Sequence, residues 1–162
     1  MPRLNRALFN RINELLKKKG YNLPELKQQA SFSKKQNNYF GWGIQQNNYR
    51  PIHYEFIDDI TDRSSNKPYP RLEIHCEHIN GRMDNKLHNL FKSLEEKGGF
   101  VHRGWFGPHT RLVSESEKNL PGIDNNSPEE IAPIYLEELE RAYELYHEDL
   151  SRILFTSNKK AY

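Results

Sequence analysis

Apolar residues recur along this chain with two different periods, and the changes of period mark out its elements. Leu4, Leu8, Ile12, Leu15 and Leu16 make one stripe of a helix over residues 3–19. Lys17, Lys18 and Lys19 suit the negative end of its dipole, and Gly20 is a good residue to close it. Asn22 is placed to cap a short second helix over residues 24–30.

From residue 39 the period becomes two. Phe40, Trp42 and Ile44 share a face of a strand over 39–44, and Ile52, Tyr54 and Phe56 share a face of one over 52–57. Leu72, Ile74 and Cys76 do the same over 71–78. The opposite faces carry His53 and Glu55 on the second strand, and Glu73, His75 and Glu77 on the third. The plain expectation for those residues is a solvated polar surface with cross-strand charge pairs.

The helical period then returns. Asp84 reads as an N-cap, Leu87, Leu90, Phe91 and Leu94 form the stripe of a central helix over 85–97, and Gly98-Gly99 stop it. Strands over 100–105 and 110–115 flank the turn Phe106-Gly107-Pro108. Ser127-Pro128-Glu129-Glu130 is a capping box with proline at the first helical position. It opens a helix over 128–155 whose inward residues are Tyr135, Leu139, Ala142, Tyr146, Leu150 and Ile153, with Pro133 expected to break or kink it.

The order of helix, three strands, helix, two strands, helix predicts an α+β fold. An antiparallel sheet of four to five strands packs with an N-terminal helix, a central helix and a long C-terminal helix. The chain reads as one domain over 1–162, comprising a basic helical region (1–38), a β-rich core (39–115) and the last helix (128–155).

Composition refines this. The 162 residues suffice for a real core, and with 35% hydrophobic and 12% aromatic residues that core must be rich in Tyr, Phe and Trp. A single cysteine excludes an internal disulfide and a cysteine-based zinc site within one chain. No apolar run approaches the roughly 18 residues of a membrane span, so the expectation is a cytoplasmic protein without a membrane partner. The net charge of +2 is unevenly spread. Residues 1–50 carry ten Lys/Arg against two acids, whereas 128–162 carry four against eight. A basic first third suggests an anionic partner, of which nucleic acid is the commonest. Lys17, Lys18, Lys19, Lys34, Lys35 and Arg50 alternate with Tyr39, Trp42 and Tyr49, a mixture suited to phosphates and stacked bases. Arg103, in the His102–His109 turn rich in Gly, Pro and aromatics, is a further candidate contact.

One run carries a family resemblance. His78-Ile79-Asn80-Gly81, then Asp84-Asn85 and Asn89-Leu90, resembles the signature of HNH endonucleases over about fifteen residues. The resemblance implies that His78 is the general base toward a water attacking a phosphodiester, that Glu77 lies beside the metal, and that Asn85 braces the loop. An imidazole titrating near neutral pH suits that role, and a divalent metal, Mg²⁺ or Mn²⁺, would stabilise the leaving oxygen. The chain departs from the family in placing Asn89-Leu90 within a helix. His88, Glu96 and His102 are the candidates for a last ligand.

A second metal candidate comes from strand parity alone. If strands 52–57 and 71–78 pair, His53 and Glu55 share a face with Glu73, His75 and Glu77, two imidazoles and three carboxylates together. Glu73 and His75 join Glu77 as the metal-ligand candidates of that face. Strand-borne acids beside a helix also resemble the layout of PD-(D/E)XK nucleases, although His75 stands where that pattern has lysine. These features predict a nucleic-acid-binding protein acting as a small metal-dependent, HNH-like endonuclease. The alternative is a non-catalytic interaction or inhibitor module of phage or bacterial type, with a nucleoprotein as its partner.

Overall fold

The computed structural model describes residues 2–26, 30–33, 38–44, 52–59, 69–77, 85–104, 109–115 and 120–159, without the side chains of 77, 86, 104, 109 and 153–159. Helix α1 (Arg6–Lys18) begins where Asn5 accepts a 2.8 Å hydrogen bond from the Leu8 amide, which satisfies one of the orphan donors of the first turn. Strands β1 (Asn38–Gly43), β2 (Ile52–Asp58) and β3 (Arg71–Glu77) follow, then helix α2 (Asn85–Leu94) with a 3-10 turn over Glu95–Lys97. Gly98, at φ 78°, ends that turn in a conformation few other residues adopt. Strands β4 (Phe100–Gly104) and β5 (His109–Ser114) and helix α3 (Pro128–Lys159) complete the chain.

The five strands form one antiparallel sheet in the order β1-β2-β3-β5-β4, so the fold is α+β as the periodicity implies. Helices α1 and α3 pack together. Their buried Leu8, Phe9, Ile12, Tyr135, Leu139 and Tyr146 meet Phe40, Trp42, Phe56 and Phe100 from the sheet. Burying these large rings, together with the leucines and isoleucines around them, supplies the apolar stabilisation, at about 25 cal/mol per Å². The one polar group of Trp42 is met, since its indole N–H donates to Asn13 Oδ1 at 3.2 Å. Trp42 is wholly buried and therefore belongs to the core, not to a base-stacking surface.

Three expectations are corrected. Residues 22–26 are not helical, because their backbone pairs with the open edge of β1. Leu26 N donates to Gly41 O, Gly43 N donates to Pro24 O, and Glu25 bridges to Trp42. Residues 27–29 lie outside the described set. Pro133 does not interrupt α3. It is the sixth residue, so the only ladder bond it removes is the one to the Glu129 carbonyl, next to a turn already held by Ser127 and Glu130 in reciprocal 3.3 Å hydrogen bonds. Third, the polar face of the sheet is not a solvated surface. His53, Glu55, Glu73 and His75 are all buried, and every residue of β2 is buried on both sides.

Candidate metal centre on the second face of the sheet

Antiparallel register builds the cluster. His53 lies opposite His75, and Glu55 lies opposite Glu73, across the β2–β3 ladder. Period-two alternation turns all four to the face away from α1 and α3. On the far side of β3, Arg111 of β5 lies opposite His75. Arg71, two residues before Glu73, ends on the same face by the same alternation.

Two different carboxylates emerge. Glu73 is fully engaged: Arg71 Nε donates to Oε1 at 2.7 Å, Arg111 Nη1 lies 3.0 and 3.1 Å from its two oxygens, and His75 Nε2 donates to Oε2 at 2.5 Å. Its side chain is 0% exposed. Burial alone would raise its pKa, but the hydrogen bond and charge of His75, then Arg71 and Arg111, overcome this and hold the carboxyl at about 2. Glu55 is bound less tightly, with His53 Nε2 at 3.2 Å from Oε2 and His75 Nδ1 at 3.8 Å from Oε1. Burial opposes the charged form of His75, yet Glu55 and Glu73 on its two sides raise its pKa above the usual histidine value.

His53, Glu55 and His75 thus offer three ligand atoms that lie within 4.8 Å of one another. Donors on a tetrahedral ion, at about 2.0–2.2 Å from the metal, are ~3.4 Å apart, so a closure of roughly an ångström would seat an ion. Two imidazoles and a carboxylate are a donor set for zinc or another borderline transition metal, whereas Mg²⁺ prefers oxygen ligands alone. Strands hydrogen-bonded on both sides hold these side chains more rigidly than loops would.

The other candidate residues are distributed elsewhere. His78, Lys34, Lys35 and Arg50 lie outside the described residues. Glu77 is the last residue of β3, paired with His109. Asn85 is exposed at the first position of α2. Lys17 and Lys18 are exposed at the end of α1. Lys17 sits 3.8 Å from Glu25, and Lys19 is bonded to Glu140 of α3 at 2.8 Å. Arg103 is exposed on β4. Part of the basic patch on α1 is therefore neutralised by the chain's own acids.

A second histidine pair joins α2 to β4. The His88 and His102 rings meet edge to face at 4.8 Å, and His102 Nε2 is 2.6 Å from Thr110 Oγ1. Burial, then the neighbouring His88, lowers the pKa of His102. Thr110 pairs with Cys76, one residue before Glu77, so this pair lies near the end of β3. Thr110 itself had no signal in the sequence, because only the β4–β5 hairpin brings it to His102. No family model, curated protein or solved structure matches the chain, so its own geometry carries the functional argument.

Proposed function

We propose that the protein is a metalloprotein that holds one zinc-type divalent ion between β2 and β3, with His53, Glu55 and His75 as ligands. The observation that carries this reading is the convergence of those three side chains, each no more than 9% exposed, within 4.8 Å on two paired strands. Taking such groups out of water is unfavourable unless they are paired or bound to a cation, and a dication would satisfy all three at once. A closed site of this kind acts on the fold: it ties β2 to β3 and makes stability depend on metal. Calorimetric titration tests it. Zn²⁺ is expected to bind at one ion per chain, far more tightly than Mg²⁺, and His53→Gln or His75→Gln should weaken it at least tenfold. A wild-type protein that takes up no zinc refutes the proposal.

A second reading concerns the end of β3, and the meeting of His88 with His102 favours it. These are two of the candidates for the last ligand of an HNH-like site, in which the resemblance makes His78 the base and Glu77 the residue beside the metal, with nucleic acid as substrate and Mg²⁺ or Mn²⁺ as cofactor. Plasmid nicking that needs Mg²⁺ or Mn²⁺ and disappears in His78→Ala and His88→Ala supports it. Absence of metal-dependent cleavage by the folded wild type removes it. A nucleoprotein-binding role without cleavage would then rest on salt-sensitive association through Lys17 and Lys18.

A further inference from the structure

We infer that Glu73 is not a ligand of the metal centre but the residue that orients one: locked by Arg71 and Arg111, it fixes the His75 ring so that Nδ1 is the coordinating atom. The inference rests on the zinc reading above and specifies its second layer.

Three observations lead to it. First, the two oxygens of Glu73 already accept from two guanidiniums and an imidazole, at distances between 2.5 and 3.1 Å. A carboxylate so engaged would have to break charge-assisted bonds to reach a metal. Second, an ionised carboxylate only accepts, so the short contact between His75 Nε2 and Glu73 Oε2 requires the proton on Nε2. In the neutral ring the lone pair then resides on Nδ1, and Nδ1 is the atom facing Glu55 Oε1 at 3.8 Å. Third, His53 presents Nε2, the opposite ring nitrogen, to the other oxygen of the same Glu55. The ion would thus be held by His53 Nε2, His75 Nδ1 and Glu55, with Glu73 behind His75.

This is a carboxylate–histidine–metal arrangement, in which the outer carboxylate sets the tautomer and raises the basicity of the ligand. The two arginines that hold Glu73 come from different strands: Arg71 lies on β3 itself, and Arg111 projects from β5. The centre therefore depends on three strands although its ligands come from two. It also gives two glutamates on one face separate roles, Glu55 to the metal and Glu73 to the imidazole.

The experiment uses the full chain and Zn²⁺ alone. Long-range ¹H–¹⁵N spectra of the zinc-loaded wild type should show His75 protonated at Nε2 and metal-bound at Nδ1, and His53 metal-bound at Nε2. Glu73→Gln, compared at a pH where it is folded by circular dichroism, should bind zinc 10- to 100-fold more weakly with the stoichiometry unchanged. A His75 coordinated through Nε2, or a Glu73→Gln protein binding zinc as tightly as wild type, overturns the inference while leaving the metal site standing. A wild type that binds no zinc removes both, and that outcome is distinguishable because it appears before any substitution is made.

Discussion

Glu73 gives the sharpest quantitative handle on the metal-free protein. Its carboxyl is held at about 2 against an ordinary value of 4.5. At about 1.4 kcal/mol for each tenfold change in proton affinity, that depression corresponds to about 3 kcal/mol of folding stability. Because the folded value lies below the unfolded one, the contribution is complete above pH 4.5 and is lost as the pH falls toward 2. Glu73→Gln keeps the shape of the side chain but removes the charge that both Arg71 and Arg111 bond. Breaking a buried ionic cluster in this way costs about 3–5 kcal/mol at neutral pH. Urea or guanidinium unfolding of the metal-free proteins, followed by circular dichroism from pH 7 to pH 2, measures both effects. The gap between wild type and Glu73→Gln should be largest between pH 4.5 and pH 6.5, where His75 is also charged, and narrow between pH 4.5 and pH 2. A gap under about 1 kcal/mol at pH 7, or one that does not change with pH, refutes the arginine-clamped account of Glu73.

Further outcomes follow from other parts of the molecule. His75 has a raised pKa, so its contribution is complete below pH 6.5 and lost as the pH rises through the folded value; the Glu73–His75 pair therefore contributes most between pH 4.5 and 6.5, readable as a melting-temperature difference between wild type and Glu73→Gln that is largest in that window. Zinc at a hundred times its dissociation constant should add about 2.7 kcal/mol at neutral pH, an increment that EDTA abolishes and that the weaker site of His53→Gln cuts to about 1.4 kcal/mol or less at the same zinc concentration. Gly41→Ala would set a Cβ 2.0 Å from the Tyr54 carbonyl oxygen across the β1–β2 ladder. It should destabilise by about 3 kcal/mol or more, seen as a lowered denaturation midpoint. Leu8→Ala, in the fully buried contact of α1 with the core, should cost about 2–5 kcal/mol in the same assay.

Local periodicity carried much of this structure. The alternation of His53 with Glu55, and of Glu73 with His75, showed in the sequence that four chemically capable side chains would share a face once β2 paired with β3. Two things were not legible. Burial of that face depends on what the folded chain lays over it, and a polar strand face reads the same whether it is wet or covered. The difference between Glu55 and Glu73 depends on Arg71 and His75 of the same strand and also on Arg111, which comes from β5. That β5 and not β4 lies beside β3 is a property of strand order, and no local period encodes it. The helix expected over 24–30 fails for a related reason: Asn22 and the residues after it suit a capped helix, but the outer edge of β1 offers the backbone of residues 24–26 a ladder instead. The capping box at Ser127 and Glu130 was fully visible because both of its hydrogen bonds are made within four residues.

The central claim is the zinc-type ion between β2 and β3, and anomalous scattering from crystals of the zinc-loaded protein tests it most directly. Data collected on either side of the zinc absorption edge should show one strong anomalous peak per chain, about 2.0–2.2 Å from His53 Nε2, His75 Nδ1 and a Glu55 carboxylate oxygen. Zinc-loaded crystals with no peak there, or with the ion bound only at other residues, would contradict the account.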